Sequence, residues 1–360
     1  MELQIITNQV EQTQYVLLDK NMRLVKPVND YLAYLRLRGK ADNTQRAYAR
    51  DLKVYFDYLE NKQQEYDKVD ISMIQDYVGY LRSPSAGGVF LYSDSKRTPT
   101  TINRMLGTVY GFYCYQAAMN RIHNPILMKD INSPNSIFKN ILVHTKQNNY
   151  VKQSIFKVKE SDYHIHLITQ EEASRMYELL PTARDKMIFK LLLQTGARIG
   201  EVLALRIGNV PIPDNSEPVS ILPHVKSKGG YRDIYIPTKL LEELDEYILR
   251  YRSSVSANHD FIFTVQQAQY RGKPVSYRGL YEVFRRIGKQ AGINFKFHDT
   301  RHTFVTGLVE SGMDISVVRI IAGHKHVTTT QQYVTLSNEY VAQSLMRYWS
   351  CSGMIGGGQE

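Results

Sequence analysis

DISVVRIIAG (Asp314–Gly323) runs directly into GHKHVTTTQQYV (Gly323–Val334), and the reading of this junction decides the fold. The first segment has apolar residues at helical spacing and stops at a glycine; the second reads as a polar, threonine-rich helix ending at Tyr333. Two helices about a short break look like a helix-turn-helix, whose second helix would read bases in a major groove. The chain holds 26 tyrosines, however, and this one stands nine residues after His324. Tyr333 is open at this point to three readings: a recognition-helix residue, a packed aromatic, or a nucleophile.

Composition narrows the choice. A chain of 360 residues fits two domains, and 43% hydrophobic with 22% charged residues suits globular protein with full cores. No stretch approaches a membrane span, and the opening MELQIITNQVEQTQ lacks the charged-then-apolar pattern of a signal peptide. A cytoplasmic protein is expected. Cys114 and Cys351, the only two cysteines, make neither a disulfide framework nor a metal-ligand spacing. Forty-five Lys+Arg against 35 Asp+Glu give a net charge of +10, which favours an acidic polymer such as nucleic acid as partner. Charge names the partner and not the job.

Upstream, residues 10–26 read as a hairpin-like lead-in, and from Pro27 the pattern turns helical. VNDYLAYLRLRG (Val28–Gly39) stops at a glycine. NTQRAYARDLKVYFDYLE (Asn43–Glu60) opens on an Asn-Thr cap and puts Tyr48, Leu52, Tyr55 and Leu59 on one face. Further helices fit Ser72–Arg82 and Thr100–Ala118, on either side of an SPSAGG loop. Ser136–Lys159 has five lysines, no acid and poor periodicity, which fits either a solvated loop or an extended basic linker along a phosphate backbone. Thr169 and Glu172 form a capping box, followed by a buried-looking helix in Ala183–Gly196. Val219–Lys228 and Tyr231–Pro237 flank a Gly229-Gly230 turn and read as a hairpin; helices return over Thr238–Tyr251, Arg278–Ala291 and His298–Ser311.

Four pieces of this second half carry reactive side chains. They are TGARIGEVLALR, with Arg198 and Glu201; KSKGG, with Lys226 and Lys228; HDTRHTF, with His298, Arg301 and His302; and the opening stretch, with His324, His326 and Tyr333. Singly, Arg198 reads as a helix-end residue and His324 as a satisfied histidine after a glycine stop. His298 and His302 are four apart, but no intervening Glu or third ligand supports a zinc pair, so no metal and no cofactor is expected.

Taken together, the ordered set Arg198, Lys228, HxxR, GH and Tyr333 resembles the tyrosine recombinases, also called phage-type integrases. ARIGEVLALR is similar to that family's first arginine box, HDTRHTF to its second, and GHKHVTTTQQY to its histidine-and-nucleophile segment. Upstream, NTQRAYARDLKVYFDYL and TTINRMLGTVYGFYCY resemble its helical core-binding domain, so the likeness spans roughly residues 26–345. The lead-in most resembles integrases and transposases of bacterial mobile elements.

The resemblance implies a mainly α fold with a small antiparallel β-sheet in the C-terminal domain, arranged as a two-domain, C-shaped DNA clamp. Its parts would be a lead-in (1–25), a helical SAM-like core-binding domain (26–135), a basic linker (136–165), a catalytic domain (166–345) and a tail (346–360). It also implies that Arg198 and Arg301 clamp a phosphate and that Tyr333 is the nucleophile. Lys228 would be the general acid, His298 a base or hydrogen-bonding partner, and His324 a second phosphate donor. Glu201 would buttress the site, by holding His298. In this family the hairpin lysine usually stands eight residues before the proline that ends the second strand; Lys228 stands nine before Pro237, so Lys226 stays an alternative. Double-stranded DNA is the expected substrate, met in the first domain by Thr44, Arg46, Arg50, Lys53 and Arg104, and by Lys96 and Arg97 of the SKRT run. Lys139, Lys146 and Lys152 would meet it from the linker. For the charged ones among them ordinary solvated charge is the alternative, with phosphate contact favoured on helices that face a duplex. A tetramer on DNA is expected, docked through a C-terminal helix bearing Leu345, Met346, Tyr348 and Trp349, with accessory or directionality proteins beside it.

The chemistry asks for these residue types on its own terms. Cutting a strand without losing bond energy needs a side chain that becomes a phosphodiester partner. A tyrosine with a pKa near 10 is about one part in a thousand phenolate at pH 7, so a base or strong charge stabilisation is required. Arginines suit a phosphate because planar, paired donors match its oxygens. Two rivals share features of the chain. A type IB topoisomerase has the tyrosine and arginines but not the two-part core-binding domain, and a non-catalytic helix-turn-helix binder has no use for the intact constellation.

Overall fold

The computed structural model describes residues 1–7, 13–82, 97–120, 122–132, 150–160 and 165–324. The chain divides into two units, Met1–Tyr163 and His164–Glu360, and is mostly helical with three small antiparallel sheets among the described residues.

In the first unit, β1 (Glu2–Thr7) pairs with β2 (Thr13–Leu18), Glu2 opposite Leu18 and Thr7 opposite Thr13. The hairpin therefore begins earlier than the 10–26 expected from sequence. Tyr15, Leu17 and Leu18 are buried, and β2 packs on α1 (Lys26–Leu37) and α2 (Asp42–Asn61), so the lead-in is part of the core. The helix expected to open on an Asn-Thr cap starts one residue before Asn43 instead, with Ala41 as an N-cap that makes no side-chain bond. The reason lies in the hairpin: Tyr15 Oη donates to both Asp42 oxygens, at 3.0 and 2.9 Å, and the acid also suits the helix N-terminus. Leu52, Tyr55 and Leu59 are fully buried as one stripe, with Tyr48 at its edge. They meet α3 (Ile71–Arg82) and α4 (Pro99–Asn120) in an aromatic core where the Tyr55 and Tyr113 hydroxyls bond at 2.7 Å.

The basic stretch is structured where it is described. β3 (Met128–Asn132) pairs with β4 (Tyr150–Ser154), and Asn103 of α4 holds Val158 through both its oxygen and its nitrogen, at 2.8 and 2.9 Å. Residues 150–160 therefore belong to the first unit and are not a free linker. Periodicity missed this because a five-residue strand draws its stability from a partner 18 or more positions away.

The second unit is built round α6 (Ala183–Thr195), whose Ile188, Phe189, Leu191 and Leu192 are all buried. Before it, α5 (Gln170–Leu179) opens on the expected capping box, with Thr169 and Glu172 bonding reciprocally at 3.3 and 3.0 Å. α6 stops at Gly196, left-handed with φ 59°, where a Cβ would lie 2.3 Å from the Phe304 ring. The short α7 (Ile199–Leu203) follows at once. The hairpin β5 (Val219–Ser227) and β6 (Gly230–Pro237) buries Leu222, Val225, Ile234 and Ile236. Ser227 pairs with Gly230, so the turn is Lys228-Gly229 rather than Gly229-Gly230, and the positive φ (127°) falls on Gly230. α8 (Thr238–Tyr247) ends in a wider turn over Ile248–Arg252 instead of running on as a regular helix to Tyr251. α9 (Tyr277–Gln290), α10 (Phe297–Glu310) and α11 (Ile315–Ala322) complete the described unit. A Phe189–Phe284–Phe295–Phe297 cluster joins α6 to the segments leading into α10, and Val305, Val309, Val318 and Ala322 join α10 to α11.

Candidate active site

Three helix ends create the site. Gly196 turns the chain so that Arg198 caps α7, α10 carries His298 and Arg301 one turn apart, and α11 ends at Gly323, left-handed with φ 62°, followed by His324. A helix end leaves carbonyls without intrahelical partners. Arginines take them here: Arg301 donates to Gly196 O at 2.8 Å and to Ala322 O, and Arg198 donates to Gly323 O at 3.4 Å. Arg301 is 1% exposed, while the Arg198 side chain keeps 35% of its surface open to solvent.

Glu201 is the buried anion of this group, 2% exposed. It accepts the Arg198 amide at 2.8 Å and Arg198 Nη1 at 2.9 Å. From the hairpin it accepts Ser227 Oγ at 2.7 Å, Arg232 Nε at 3.2 Å and Arg232 Nη2 at 2.8 Å. Burial alone would raise its pKa; the hydrogen bonds and charge of Arg232, with Ser227 and the Arg198 amide, bring it down to about 2. The sequence reading had Glu201 holding His298. The carboxylate instead secures Arg198 and the hairpin, because two guanidiniums and a hydroxyl already occupy its oxygens.

The histidines are pushed towards their neutral forms. His324, 7% exposed, has its pKa lowered to about 4, first by burial and then by Arg301 and Arg198. His298 is lowered by the same causes in the same order. His302 packs edge-on against His298, ring centres 4.3 Å apart, and is lowered to about 4, first by burial. At neutral pH these rings are uncharged, and each can accept a hydrogen bond at one nitrogen and donate one from the other. Asp299, next in the chain to His298, accepts the Lys296 amide at 3.0 Å at the start of α10.

The structure thus brings together Arg198, Glu201, His298, Arg301 and His324. Lys228 lies exposed in the hairpin turn. Lys226 is paired with Tyr231 on β6, and strand alternation puts both on the face opposite Ser227 and Arg232. Tyr333, together with Lys96, Lys139, Lys146 and the C-terminal helix, lies outside the described residues. In the first unit, Arg46 and Arg50 are exposed one turn apart on α2, with Thr44 half-buried. Lys53 is engaged by Asp57 at 2.7 Å, Arg104 by the buried Asp51, and Arg97 reaches Leu81 O at 3.4 Å. Lys152 sits in β4 opposite Asp130.

Two residues of the site were missed from sequence: Ser227 and Arg232. A signal existed for the second. Arg232, Ile234 and Ile236 share one face of β6, and an arginine in line with two buried isoleucines needs an acidic partner inside.

Comparison with known proteins follows the same division of the chain. Residues 166–339 match the phage integrase family, and residues 28–120 match the phage integrase N-terminal SAM-like domain. Transposase A from transposon Tn554 of Staphylococcus aureus is 32% identical over 344 residues, covering 93% of this chain and 94% of that protein. Tyrosine recombinase XerC of Staphylococcus epidermidis is 25% identical over 313 residues, covering 84% and 89%. Two solved structures share the fold. The Tn1549 transposon integrase in complex with transposon right end DNA has a TM-score of 0.60 at 17% identity, covering 90% of this chain and 99% of that one. The XerH recombinase bound to a palindromic difH substrate, in a post-cleavage complex, gives 0.59 at 19% identity, covering 86% and 80%. With both of its parts matched and a relative aligned over nearly its whole length, the chain belongs to the phage integrase family, the tyrosine recombinases that break and rejoin DNA strands.

Proposed function

We propose that this recombinase moves a mobile element by metal-free transesterification, with Tyr333 as nucleophile. The observation that carries the reading is the convergence of Arg198 and Arg301 on the end of α11, where His324 emerges beside His298. Two guanidiniums fixed by backbone carbonyls are preorganised for the non-bridging oxygens of a phosphate, and losing one such donor typically costs ~3–4 kcal/mol of barrier. Tyr333, nine residues beyond His324, attacks the phosphorus; a tyrosyl O–P bond forms as the P–O5′ bond breaks. The phenolic proton passes to His298, the departing 5′-oxygen takes a proton from Lys228, and His324 donates to the phosphate. The 5′-hydroxyl of a partner strand then attacks the phosphotyrosine and releases the enzyme. One phosphoester is exchanged for another, so no ATP is needed.

The transposase relative, aligned over nearly its full length, supports a transposition or integration role; with DNA as its substrate, the protein works in the cytoplasm. Two duplexes must be cut in turn, so the working assembly is a tetramer on DNA, docked through the C-terminal segment and directed by accessory proteins. Arg46 and Arg50 of α2 are the best placed first-unit side chains for backbone phosphates.

A duplex nicked near the cleavage site tests the chemistry, because the short 5′-hydroxyl fragment diffuses away and traps the intermediate. Wild-type protein should become linked to the 3′-phosphate in the presence of a chelator. Loss of the adduct on chelation would show that the mechanism depends on metal.

A further inference from the structure

Three successive carbonyls at the end of α11 are each taken by an arginine from a different element. Gly323 O accepts Arg198 and Ala322 O accepts Arg301, while Ile321 O accepts Arg232 Nη1 at 2.9 Å. The first two arginines are the phosphate clamp of the proposed mechanism; the third has no role in it. Arg232 also grips Glu201 side-on through Nε and Nη2, at 3.2 and 2.8 Å. Its side chain packs flat on Gly323: a Cβ there would lie 2.8 Å from Arg232 Cδ and 3.0 Å from Nε. Only 14% of that side chain is exposed, so it is buried machinery and not a surface cation.

We propose that Arg232 is a positioning residue for strand cleavage: it takes up the charge of Glu201, leaving that of Arg198 for the phosphate, and locks hairpin β5–β6 to the turn that presents His324. The inference rests on the catalytic reading. Its physical basis is electrostatic. Glu201 faces Arg198 from its own helix, and Arg232 and Ser227 from the hairpin. With Arg232 present, Arg198, Arg232 and Arg301 stand against one carboxylate, and a net charge of +2 remains for the substrate. Without it, Glu201 pairs with Arg198 alone and half of that charge is cancelled. The geometry adds a second consequence. Ser227 and Arg232 pin the base of the hairpin, so Lys228 in the turn is presented from a fixed root.

Single-turnover cleavage of the nicked duplex by Arg232→Gln and Arg232→Lys tests this, alongside DNA binding and thermal melting of each protein. For Arg232→Gln, cleavage should slow by about a hundredfold, the effect of misplacing a reacting group by an ångström, with DNA affinity near wild type. Arg232→Lys keeps the charge but loses the side-on fork, and should recover part of the rate. The pH profile separates positioning from mere folding. With Arg232 gone, burial acts on Glu201 with less opposition and its pKa rises, so the variant should gain an acid limb absent from wild type, its rate relative to wild type climbing as protonation of Glu201 frees the charge of Arg198. His298 contributes alike to both profiles, whereas His324, whose pKa the Arg232 charge helps to lower, shifts upward in Arg232→Gln; Arg232→Lys keeps that charge and serves as the control. Folded Arg232→Gln or Arg232→Lys cutting at the wild-type rate, or Arg232→Gln slowing in parallel with lost melting temperature and no new acid limb, would overturn the inference while leaving the catalytic reading intact. Failure of the wild-type protein to form any adduct would overturn both.

Discussion

A buried carboxylate held between guanidiniums makes a claim on stability as well as on catalysis. The Glu201 pKa falls from an ordinary 4.5 to about 2 in the folded protein. A depressed acid stabilises the fold above its unfolded pKa and loses that contribution as pH drops through the folded value. Linkage puts the effect on the order of 3 kcal/mol at neutral pH, fading between about pH 4.5 and 2. Urea unfolding of wild type and Glu201→Gln should therefore differ widely at pH 7 and converge as pH falls from about 4.5 towards 2; a gap that does not change with pH would refute the assignment. Gly196 makes a second claim. Its φ is positive, and a methyl group placed there would sit 2.3 Å from the Phe304 ring, which leaves no room for a side chain. Gly196→Ala should cost about 1–3 kcal/mol from backbone strain, with further loss from the displaced ring, and should lower the melting temperature. At this scale the sequence was legible where chemistry forces a residue type. Arg198, Glu201, His298, Arg301 and His324 were all named from motif order and spacing, and the structure gathers them. Arg232 was not, because its role depends on which face of β6 meets Glu201, and the hairpin register decides that.

Elements were more legible than their ends. α11 carries strong apolar periodicity and α6 a nearly continuous apolar run, and Gly323 and Gly196 end these helices as such glycines should. α2 shows the limit: an Asn-Thr cap was a sound local expectation, but a hydroxyl from the hairpin holds Asp42 and moves the start. The pairing of β3 with β4 lay further out of reach, since its partners are remote in sequence. The same hairpin logic separates two lysines that sequence left open. Lys228 occupies the turn, whereas Lys226 sits across from Tyr231 on the face away from Ser227 and Arg232. Lys228→Ala should slow cleavage by about a hundredfold or more, the usual worth of a general acid, and Lys226→Ala should leave it within about twofold. Cleavage rates on the nicked duplex decide this, and the reverse ranking would move the general acid to Lys226.

The whole chain carries a net charge of +10 over two units with separate cores, and each unit matches a different domain of the family. A protein that neutralises several phosphates releases their counterions, so its affinity should fall steeply with salt. If six to ten contacts form, affinity should drop by about 10³–10⁵ between roughly 50 and 200 mM salt. A shallow salt slope would mean that the exposed cations, Arg46 and Arg50 among them, do not line the DNA path. The division into two units followed from length and the change of pattern near Thr169, but the anchoring of the N-terminal hairpin on α1 and α2 did not, because burial of Leu17 and Leu18 is a tertiary outcome. The proposed chemistry turns on one oxygen atom among 26 tyrosines. Trapping the covalent complex on a nicked duplex, digesting it and mapping the DNA-bearing peptide measures this directly. The predicted result is a single modified residue, Tyr333, with no adduct from Tyr333→Phe. DNA attached to any other residue, or an undiminished adduct from Tyr333→Phe, would contradict it.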